Sequence, residues 1–231
     1  MIKGDLRKKQ ILEVAESLFA EKGYEATSVQ DILDKLQLSK GSFYHHFESK
    51  AMVLQLICEN RAHVTAQKIS EESFCSGLEK MNCLISHMMP FHGEGLAFLK
   101  MILPVFTLQE GKSIRAGYQD ALKNCLMPMM IDAFQEMIHE GSGYSFFVEG
   151  TAGIILDLVN DLWAKIGQEM IMSEKTIRQS VPPSQLLSMV EPYRTAIENL
   201  LSAPYGSILI ISLEELTSVI SEIHDWWKVG P

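Results

Sequence analysis

Residues 39–50 read SKGSFYHHFESK, and this stretch decides the fold of the N-terminal part of the chain. Ser39 is a favourable helix N-cap residue, and Phe43 and Phe47, four residues apart, fall on one helical face. Ser49 supplies a second N-cap shortly afterwards. The stretch therefore predicts a short helix anchored by two aromatic side chains, followed at once by a longer helix.

The residues before this stretch predict two further helices. Apolar side chains recur at helical spacing in the first of them: Ile11, Ala15, Leu18 and Phe19. Gly23 stands where a helix C-terminus is expected. In ATSVQDILDKL, Thr27 and Gln30 have the spacing of a capping box, which predicts that the second helix begins there. Three short helices with a tight turn between the second and third form a helix-turn-helix unit.

The rest of the chain also has helical periodicity and shows no strand alternation. We predict helices at about 76–89, 94–108, 113–140, 146–172, 184–203 and 207–228. The expected fold is all-α, with a three-helix helix-turn-helix domain over residues 1–50 and a larger helical domain over residues 51–231. In the helix over 146–172, one wide apolar arc is formed by Ile154, Ile155, Leu158, Val159, Leu162 and Ile166. An arc this wide predicts packing against both the core and a partner helix.

The charge is unevenly distributed along the chain. The formal net charge is −9 over 231 residues, which argues against coating nucleic acid by bulk attraction. Residues 1–68 carry 10 Lys and Arg against 9 Asp and Glu, and the remaining residues carry 10 against 20. The acidity therefore lies in the C-terminal part, and the predicted helix-turn-helix unit is nearly neutral.

Cysteine usage and hydropathy predict a cytoplasmic protein. The 4 cysteines show no CxxC spacing, which indicates reduced thiols. The N-terminus has no apolar signal core. The longest stretch without charge, residues 199–213, contains Pro204 and Gly206 and falls short of a membrane span.

Three segments at characteristic spacing carry a family resemblance. They are LFAEKGYEATSV (18–29), DIL (31–33) and SKGSFYHHFESK (39–50). Together they resemble the DNA-binding domain of the TetR family of bacterial transcriptional regulators. The resemblance covers about the first quarter of the chain. It implies a homodimer that dimerises through C-terminal helices, binds a double-stranded DNA operator and responds to a small molecule bound in its C-terminal domain.

The chemistry of the stretch suits DNA reading. Lys40 reaches a phosphate or the acceptor-rich edge of guanine, and Tyr44 places its hydroxyl on a phosphate oxygen. Lys50 and the amides at the start of its helix are expected to hold another phosphate. The resemblance adds Ser28, Gln30 and His46 as further contacts. The predicted DNA-binding residues are Ser28, Gln30, Ser39, Lys40, Gly41, Ser42, Tyr44, His45, His46 and Lys50. A basic N-terminal arm formed by Lys3, Arg7, Lys8 and Lys9 either follows the neighbouring groove or backbone or is solvated and disordered.

One position departs from the family pattern. The turn reads KLQLSK, and the family usually has glycine where this chain has Gln37. A left-handed conformation at a non-glycine residue costs about 1 kcal/mol. The departure is tolerable for the fold but weakens any transfer of individual base contacts.

An effector pocket is expected among the C-terminal helices. Its predicted walls are Phe98, Met101, Phe106, Tyr118, Met130, Phe134, Met137 and Trp163, and the effector is expected to be largely apolar. The 13 methionines suit either an adaptable pocket or simple core filling, and core filling is the default. Glu149, Asp157 and Asp161 either favour a cationic ligand or form a solvated helix face.

No catalytic or cofactor motif is present, so an enzyme, a bound metal and a cofactor are not predicted. His87, His92 and Glu94 are read as polar loop residues in preference to a metal sensor, and a redox role for Cys75 and Cys83 is left open. The leading hypothesis is a repressor released by an effector. The alternatives are an architectural DNA-binding protein controlled by a protein partner, and a small-molecule-binding protein or enzyme with a vestigial DNA-binding domain.

Overall fold

The structure is a computed structural model that describes residues 3–91, 94–108, 111–172 and 180–229. Every regular element within these ranges is helical, which confirms the predicted all-α fold. The described residues form α1 (Lys3–Lys22), α2 (Val29–Leu36), α3 (Lys40–Tyr44), α4 (Lys50–Ser70), α5 (Gly77–Met88), α6 (Glu94–Ile102), α7 (Gly111–Glu140), α8 (Val148–Met172), α9 (Pro183–Leu201) and α10 (Leu213–Val229). A short 3₁₀ helix over Pro104–Thr107 follows α6.

The starts of α3 and α4 are capped as the sequence predicts. The hydroxyl of Ser39 accepts a hydrogen bond from the amide of Ser42, and that of Ser49 accepts one from the amide of Met52. Each bond satisfies one amide that lacks a partner within its helix. Gly23 has a φ of 83°, which is the left-handed conformation expected for a residue that ends α1.

The start of α2 differs from the prediction by one residue. Ser28 is the N-cap, and its capping-box partner is Asp31, so the predicted pair of Thr27 and Gln30 is wrong. Thr27 is fully buried, and its hydroxyl donates to the carbonyl oxygen of Gly23 at 2.8 Å. Because this hydroxyl is turned back towards the end of α1, the next residue takes the capping role.

The turn between α2 and α3 is left-handed at Gln37, with φ 54° and ψ 45°. The amide of Leu38 then donates to the carbonyl oxygen of Leu33 at 2.9 Å, which closes a Schellman-type helix end. The conformation that usually calls for glycine is therefore adopted by a glutamine, and this tight end sets the direction in which α3 leaves α2.

Helix α4 links the two parts of the molecule. It contacts α1 on one side and α7 on the other, and its residues Val53, Leu54 and Ile57 are buried. Helix α6 also contacts α1. The helix-turn-helix unit is thus joined to the C-terminal helices through α4 and α6.

The C-terminal helices are arranged around α7, which contacts α4, α5 and α8. Two predicted boundaries were wrong. The helix over 94–108 ends at Ile102, because Pro104 lacks the amide hydrogen needed to continue the hydrogen bonds of α6, and the chain passes into the 3₁₀ helix over Pro104–Thr107. The last helix begins at Leu213, six residues later than predicted. The segment before it is held by side chains: Asn82 bonds the backbone of Ser207 and Leu209.

The apolar arc of α8 divides between the core and the surface. Ile155, Val159, Leu162 and Ile166 are fully buried, whereas Ile154 is 50% exposed. One edge of the arc is therefore available for a further contact. No helix in the described part of the chain has both the length and the apolarity needed to cross a membrane.

Candidate nucleic-acid interface

Helix α3 lies on the surface and is anchored from beneath by two aromatic side chains. Phe43 and Phe47 are 0% and 1% exposed, and their ring centroids lie 5.4 Å apart. Tyr44, the next residue, points outward and is 57% exposed, and its ring packs edge-on against Phe43. The aromatic pair thus fixes the helix on its core and leaves its outer face to solvent, as the sequence predicts.

The outer face of α3 presents polar groups that are not engaged within the domain. Lys40, Tyr44 and His45 are all exposed. Among the described residues, none hydrogen-bonds to or forms an ion pair with their side chains; the ring of His45 only packs edge-on against that of His46. Their donor groups are therefore free to bind an external partner such as a phosphate or a base edge.

The remaining predicted contacts on α3 surround these side chains. Ser39 and Gly41 are exposed, and Ser42 and His46 are half-buried. The start of α1 lies beside them, since a methyl group at Gly4 would be 3.9 Å from the His46 ring. The basic residues expected as an N-terminal arm, including Arg7 and Lys8, belong to the first turns of α1, which begins at Lys3.

Ser28 and Gln30 are exposed but already engaged in intrahelical bonds. The Ser28 hydroxyl donates to Asp31 at 2.6 Å and accepts from the Asp31 amide at 3.1 Å. The side-chain amide of Gln30 donates to Asp34 at 2.7 Å. The bonds from Ser28 hold the pKa of the Asp31 carboxyl well below its usual range, with Lys22 adding to the effect at 3.0 Å. Ser28 and Gln30 thus stabilise the start of α2. A DNA contact from either side chain would have to form alongside these hydrogen bonds or replace them.

Lys50 has an internal role that the sequence does not reveal. Its ammonium donates to the carbonyl oxygens of Tyr24 and Thr27, at 2.8 and 2.9 Å, and lies 4.2 Å from the centroid of the Tyr24 ring. These bonds tie the start of α4 to the loop between α1 and α2. The ammonium predicted to bind a phosphate thus holds the unit together.

A cavity of about 230 Å³ lies between α4, the end of α5, α6 and α7. Two of the predicted pocket residues, Phe98 and Tyr118, line it, with ring centroids 5.2 Å apart. Burial raises the pKa of the Tyr118 phenol, so its hydroxyl stays protonated and can donate to a ligand.

The other predicted pocket residues do not line this cavity. Met101, Met130, Phe134, Met137 and Trp163 are buried in the core, so core filling explains them. Trp163 nevertheless supports the cavity from behind, because its ring packs edge-on against Tyr118 with centroids 5.9 Å apart. The side chain of Phe106 lies outside the described part of the structure.

The sequence-based reading missed the α4 wall of the cavity. Arg61, Val64, Thr65 and Lys68 line it, together with His87 from α5. Their spacing of three, four and seven residues places the α4 side chains on one face of the helix, a signal that was present in RAHVTAQK. The wall therefore carries cationic groups beside an aromatic floor.

The acidic residues considered for a cationic ligand lie elsewhere. Asp157 pairs with Lys123 at 3.0 Å, and Asp161 pairs with Lys165 at 2.7 Å, both on the outer face of α7 and α8. Glu149 is exposed near the start of α8. Asp157 and Asp161 line a separate polar groove of about 500 Å³ between α7 and α8, in which each carboxylate already pairs with a lysine. A larger groove of about 540 Å³ lies between α5, α9 and residues 208–212, and no residue of α4 or α6 lines it.

The four cysteines are free thiols, as predicted. Burial raises the pKa of the Cys58 thiol, which is therefore unreactive. Cys75 is exposed, and Cys83 lies beside Glu72 and His87. Of the other polar residues considered, His92 and the side chain of Glu94 lie outside the described residues.

Comparison with known proteins agrees with this geometry. The family profile described as "Bacterial regulatory proteins, tetR family" matches residues 11–57, the span from α1 into α4. The transposon Tn10 TetC protein of Escherichia coli is 24% identical over 131 residues, which are 55% of this chain and 66% of that protein. The transcriptional repressor KstR2 of Rhodococcus jostii is 45% identical over 51 residues, 22% of this chain and 25% of its own length. The matches thus span less than two thirds of these relatives.

Solved structures show that the similarity of fold extends over most of the chain. A TetR-family transcriptional regulator from Pectobacterium atrosepticum has a TM-score of 0.60 at 17% identity, covering 88% of this chain and 100% of that one. RolR in complex with resorcinol has a TM-score of 0.56 at 10% identity, covering 95% of both chains. Residues 11–57 therefore match the model of the tetR family of bacterial regulatory proteins, and the fold over most of the chain is similar to that of these two solved structures.

Proposed function

We propose that this protein is a transcriptional repressor that binds a palindromic operator as a homodimer and is released by a small-molecule effector. The observation that carries the proposal is the outer face of α3. Lys40, Tyr44 and His45 project from a helix that Phe43 and Phe47 anchor on the core. This activity places the protein with the DNA in the cytoplasm, and it involves no enzymatic step.

The roles of the side chains follow from their reach. Lys40, at the start of α3, contacts a base edge or a phosphate, and Gly41 and Ser42 let the backbone come close to the groove. Tyr44 and His45 contact the sugar-phosphate wall. Ser39, His46 and the amides at the start of α4, around Lys50, bind neighbouring phosphates, while Ser28 and Gln30 border the same groove from α2.

A dimer is required because α3 is only five residues long and reaches few base pairs. Two such helices, related by a twofold axis and one helical turn apart, would read a palindrome. The dimer contact is proposed for the outer faces of α8 and α9. Ile154 is exposed there, and Phe146 and Phe147, just before α8, are 95% and 68% exposed. Exposed apolar side chains at this density are typical of an interaction surface.

The effector is proposed to bind between α4 and α6 and to carry an acidic group. The sequence predicts a largely apolar ligand, and Phe98 and Tyr118 suit an aromatic body. Arg61 and Lys68 on the same wall add positive charge, which favours a carboxylate or another anion.

The cavity lies where binding can act on the DNA-reading unit. Helix α4 forms one wall and continues into that unit, and α6, on the other side, contacts α1. The two α3 helices can be spaced correctly or wrongly for DNA. An effector that binds more tightly to the wrongly spaced conformer weakens DNA binding, by an amount set by the difference between its affinities for the two conformers. A coupling of about 1–3 kcal/mol corresponds to a change of roughly 5- to 150-fold.

The test is selection of duplexes from random DNA by the purified protein, followed by titration of the selected duplex and of a scrambled duplex at physiological salt. The proposal predicts a palindromic selected sequence and a clear preference for it. If the selection enriches no sequence, or if the selected and scrambled duplexes bind with equal affinity, the repressor is contradicted and an architectural role is supported.

A further inference from the structure

The C-terminal end of α4 and the helix α5 bring three potential metal ligands together. They are Glu72, two residues beyond α4, and Cys83 and His87 on α5. One donor atom from each lies within 4.8 Å of the other two. This is the single group of three such residues in the part of the chain that the structure describes, and neither the fold nor the proposed effector cavity requires it.

The donor atoms lie near the spacing that a tetrahedral ion needs. The Cys83 sulfur lies 3.4 Å from Glu72 Oε2 and 3.4 Å from His87 Nδ1, and His87 Nε2 lies 4.0 Å from the other Glu72 oxygen, Oε1. Zinc bonds of ordinary length at tetrahedral angles place their donor atoms about 3.3–3.6 Å apart. Small side-chain rotations therefore complete the geometry, because all three side chains are at least partly exposed.

His87 is already oriented as metal-binding histidines usually are. Its Nδ1 lies 2.9 Å from the backbone carbonyl oxygen of Cys83. A neutral ring with its proton on Nδ1 donates to this carbonyl, which directs the lone pair of Nε2 towards Glu72. Ligating histidines in proteins generally donate their second ring nitrogen to a carbonyl or carboxylate in this way.

We propose that Glu72, Cys83 and His87 form a binding site for a zinc ion. A thiolate, an imidazole and a carboxylate form the borderline ligand set that zinc accepts, and an exposed fourth position is left for water. The thiolate and the carboxylate together balance the charge of the ion. On binding, the Cys83 thiol releases its proton to solvent and the sulfur forms the metal bond, with no change of oxidation state.

The contact between Cys83 and Glu72 already brings two of the proposed ligands together. The Cys83 thiol donates to Glu72 Oε2, with 3.4 Å between the sulfur and the oxygen. The ion would replace the shared proton. Because Glu72 follows α4 and the other two ligands lie on α5, zinc would tie these helices together, and His87 would connect the ion to the wall of the α4–α6 cavity.

The test uses the reduced full-length protein with zinc or cobalt alone, without DNA, so it is independent of the proposed function. We expect one zinc ion per chain and a thiolate-to-cobalt charge-transfer band with the cobalt protein. Cys83→Ser should abolish the band. Glu72→Gln and His87→Gln should weaken zinc binding by more than the roughly 10- to 100-fold typical of losing an outer-shell partner. Zinc should also raise the melting temperature of the wild-type protein and not that of Cys83→Ser.

The chain offers a matched control. Cys125 and His63 form another cysteine–histidine pair, with Sγ and Nδ1 3.2 Å apart, but within the described residues no carboxylate completes it. Cys125→Ser and Cys75→Ser should leave both the stoichiometry and the cobalt band unchanged. A band that survives Cys83→Ser, or that disappears in Cys125→Ser, would overturn the assignment. So would binding of less than one equivalent of zinc to the wild-type protein. Since Glu72 is exposed, Glu72→Gln tests the site even if Cys83→Ser fails to fold.

Discussion

The ammonium of Lys50 lies 4.2 Å from the ring centroid of Tyr24 and donates a hydrogen bond to the carbonyl oxygen of the same residue. A second bond reaches the carbonyl of Thr27. Lys50 thus links the start of α4 to the loop that positions α2, so its effect on DNA binding is expected to pass through the stability of the unit.

Replacing Lys50 by Met keeps most of the aliphatic stem and removes both hydrogen bonds. We expect the free energy of unfolding to fall by about 2 kcal/mol, because hydrogen bonds to a charged group are lost. The measurement is denaturant unfolding of the free protein. An unchanged stability together with weaker DNA binding would assign Lys50 to a phosphate.

Gln37→Gly is expected to stabilise the protein by up to about 1 kcal/mol, because the left-handed conformation at residue 37 no longer crowds a side chain. Ser202, with a φ of 53°, provides the control, since Ser202→Gly relieves the same strain far from the DNA-reading unit. Both variants should have raised melting temperatures, and only Gln37→Gly should alter DNA affinity. A lower melting temperature for Gln37→Gly would show that the glutamine side chain contributes more than the strain costs.

The bond between Ser28 and Asp31 predicts a pH dependence. The folded-state pKa of Asp31 is depressed, so the charged carboxylate stabilises the fold above its unfolded-state pKa of about 4, and this stability is lost as the pH falls towards the folded-state pKa. The difference in unfolding free energy between the wild-type protein and Asp31→Asn should therefore be constant near neutral pH and shrink below about pH 4. Ser28→Ala should lose part of the same pH-dependent unfolding free energy, because it removes the hydroxyl that donates to Asp31. A difference that does not vary with pH would rule out the charged capping box.

Lys40→Ala should weaken DNA binding and reduce the slope of log affinity against log salt by about 1, because one phosphate contact or its counterion release is lost. Lys228→Ala, an exposed lysine on α10, is the control and should leave the slope unchanged. Equal salt slopes for the wild-type protein, Lys40→Ala and Lys228→Ala would exclude Lys40 from the DNA interface.

The charge of the α4–α6 cavity predicts a preference between two matched probes. Benzoate should bind more tightly than benzamide, because both have an aromatic ring but only benzoate pairs with the cationic wall. Quenching of tryptophan fluorescence is a suitable readout, since Trp163 contacts Tyr118 at the cavity. Lys68→Met should reduce the difference in affinity between benzoate and benzamide. Equal affinity of the wild-type protein for both probes would contradict an acidic effector.

The local features of the fold were predictable from the sequence because they depend on neighbouring residues. Ser39, Ser49 and Gly23 cap helices as their positions indicate, and the spacing of Phe43 and Phe47 places both side chains in the core. The helix-turn-helix unit as a whole follows from such short-range signals.

The features that depend on tertiary contacts were not predictable. Thr27 lost the capping role because its hydroxyl bonds the end of α1, and Lys50 is directed inward by a loop 23 to 26 residues earlier. Glu72 is 11 residues from Cys83, and only the angle between α4 and α5 brings the two together. Met130 and Phe134 were predicted as pocket walls, but sequence alone could not distinguish a cavity wall from a filled core.

In the proposed dimer, two copies of α3 read adjacent turns of one DNA groove. Hydroxyl-radical footprinting of the protein on its selected duplex tests it most directly. We predict two protected patches on the same face of the duplex, related by a twofold axis and separated by about 10 base pairs, and we predict that both are lost with Lys40→Ala combined with Tyr44→Ala. Protection of a single patch, or uniform protection that the double variant retains, would contradict reading of the groove by two α3 helices.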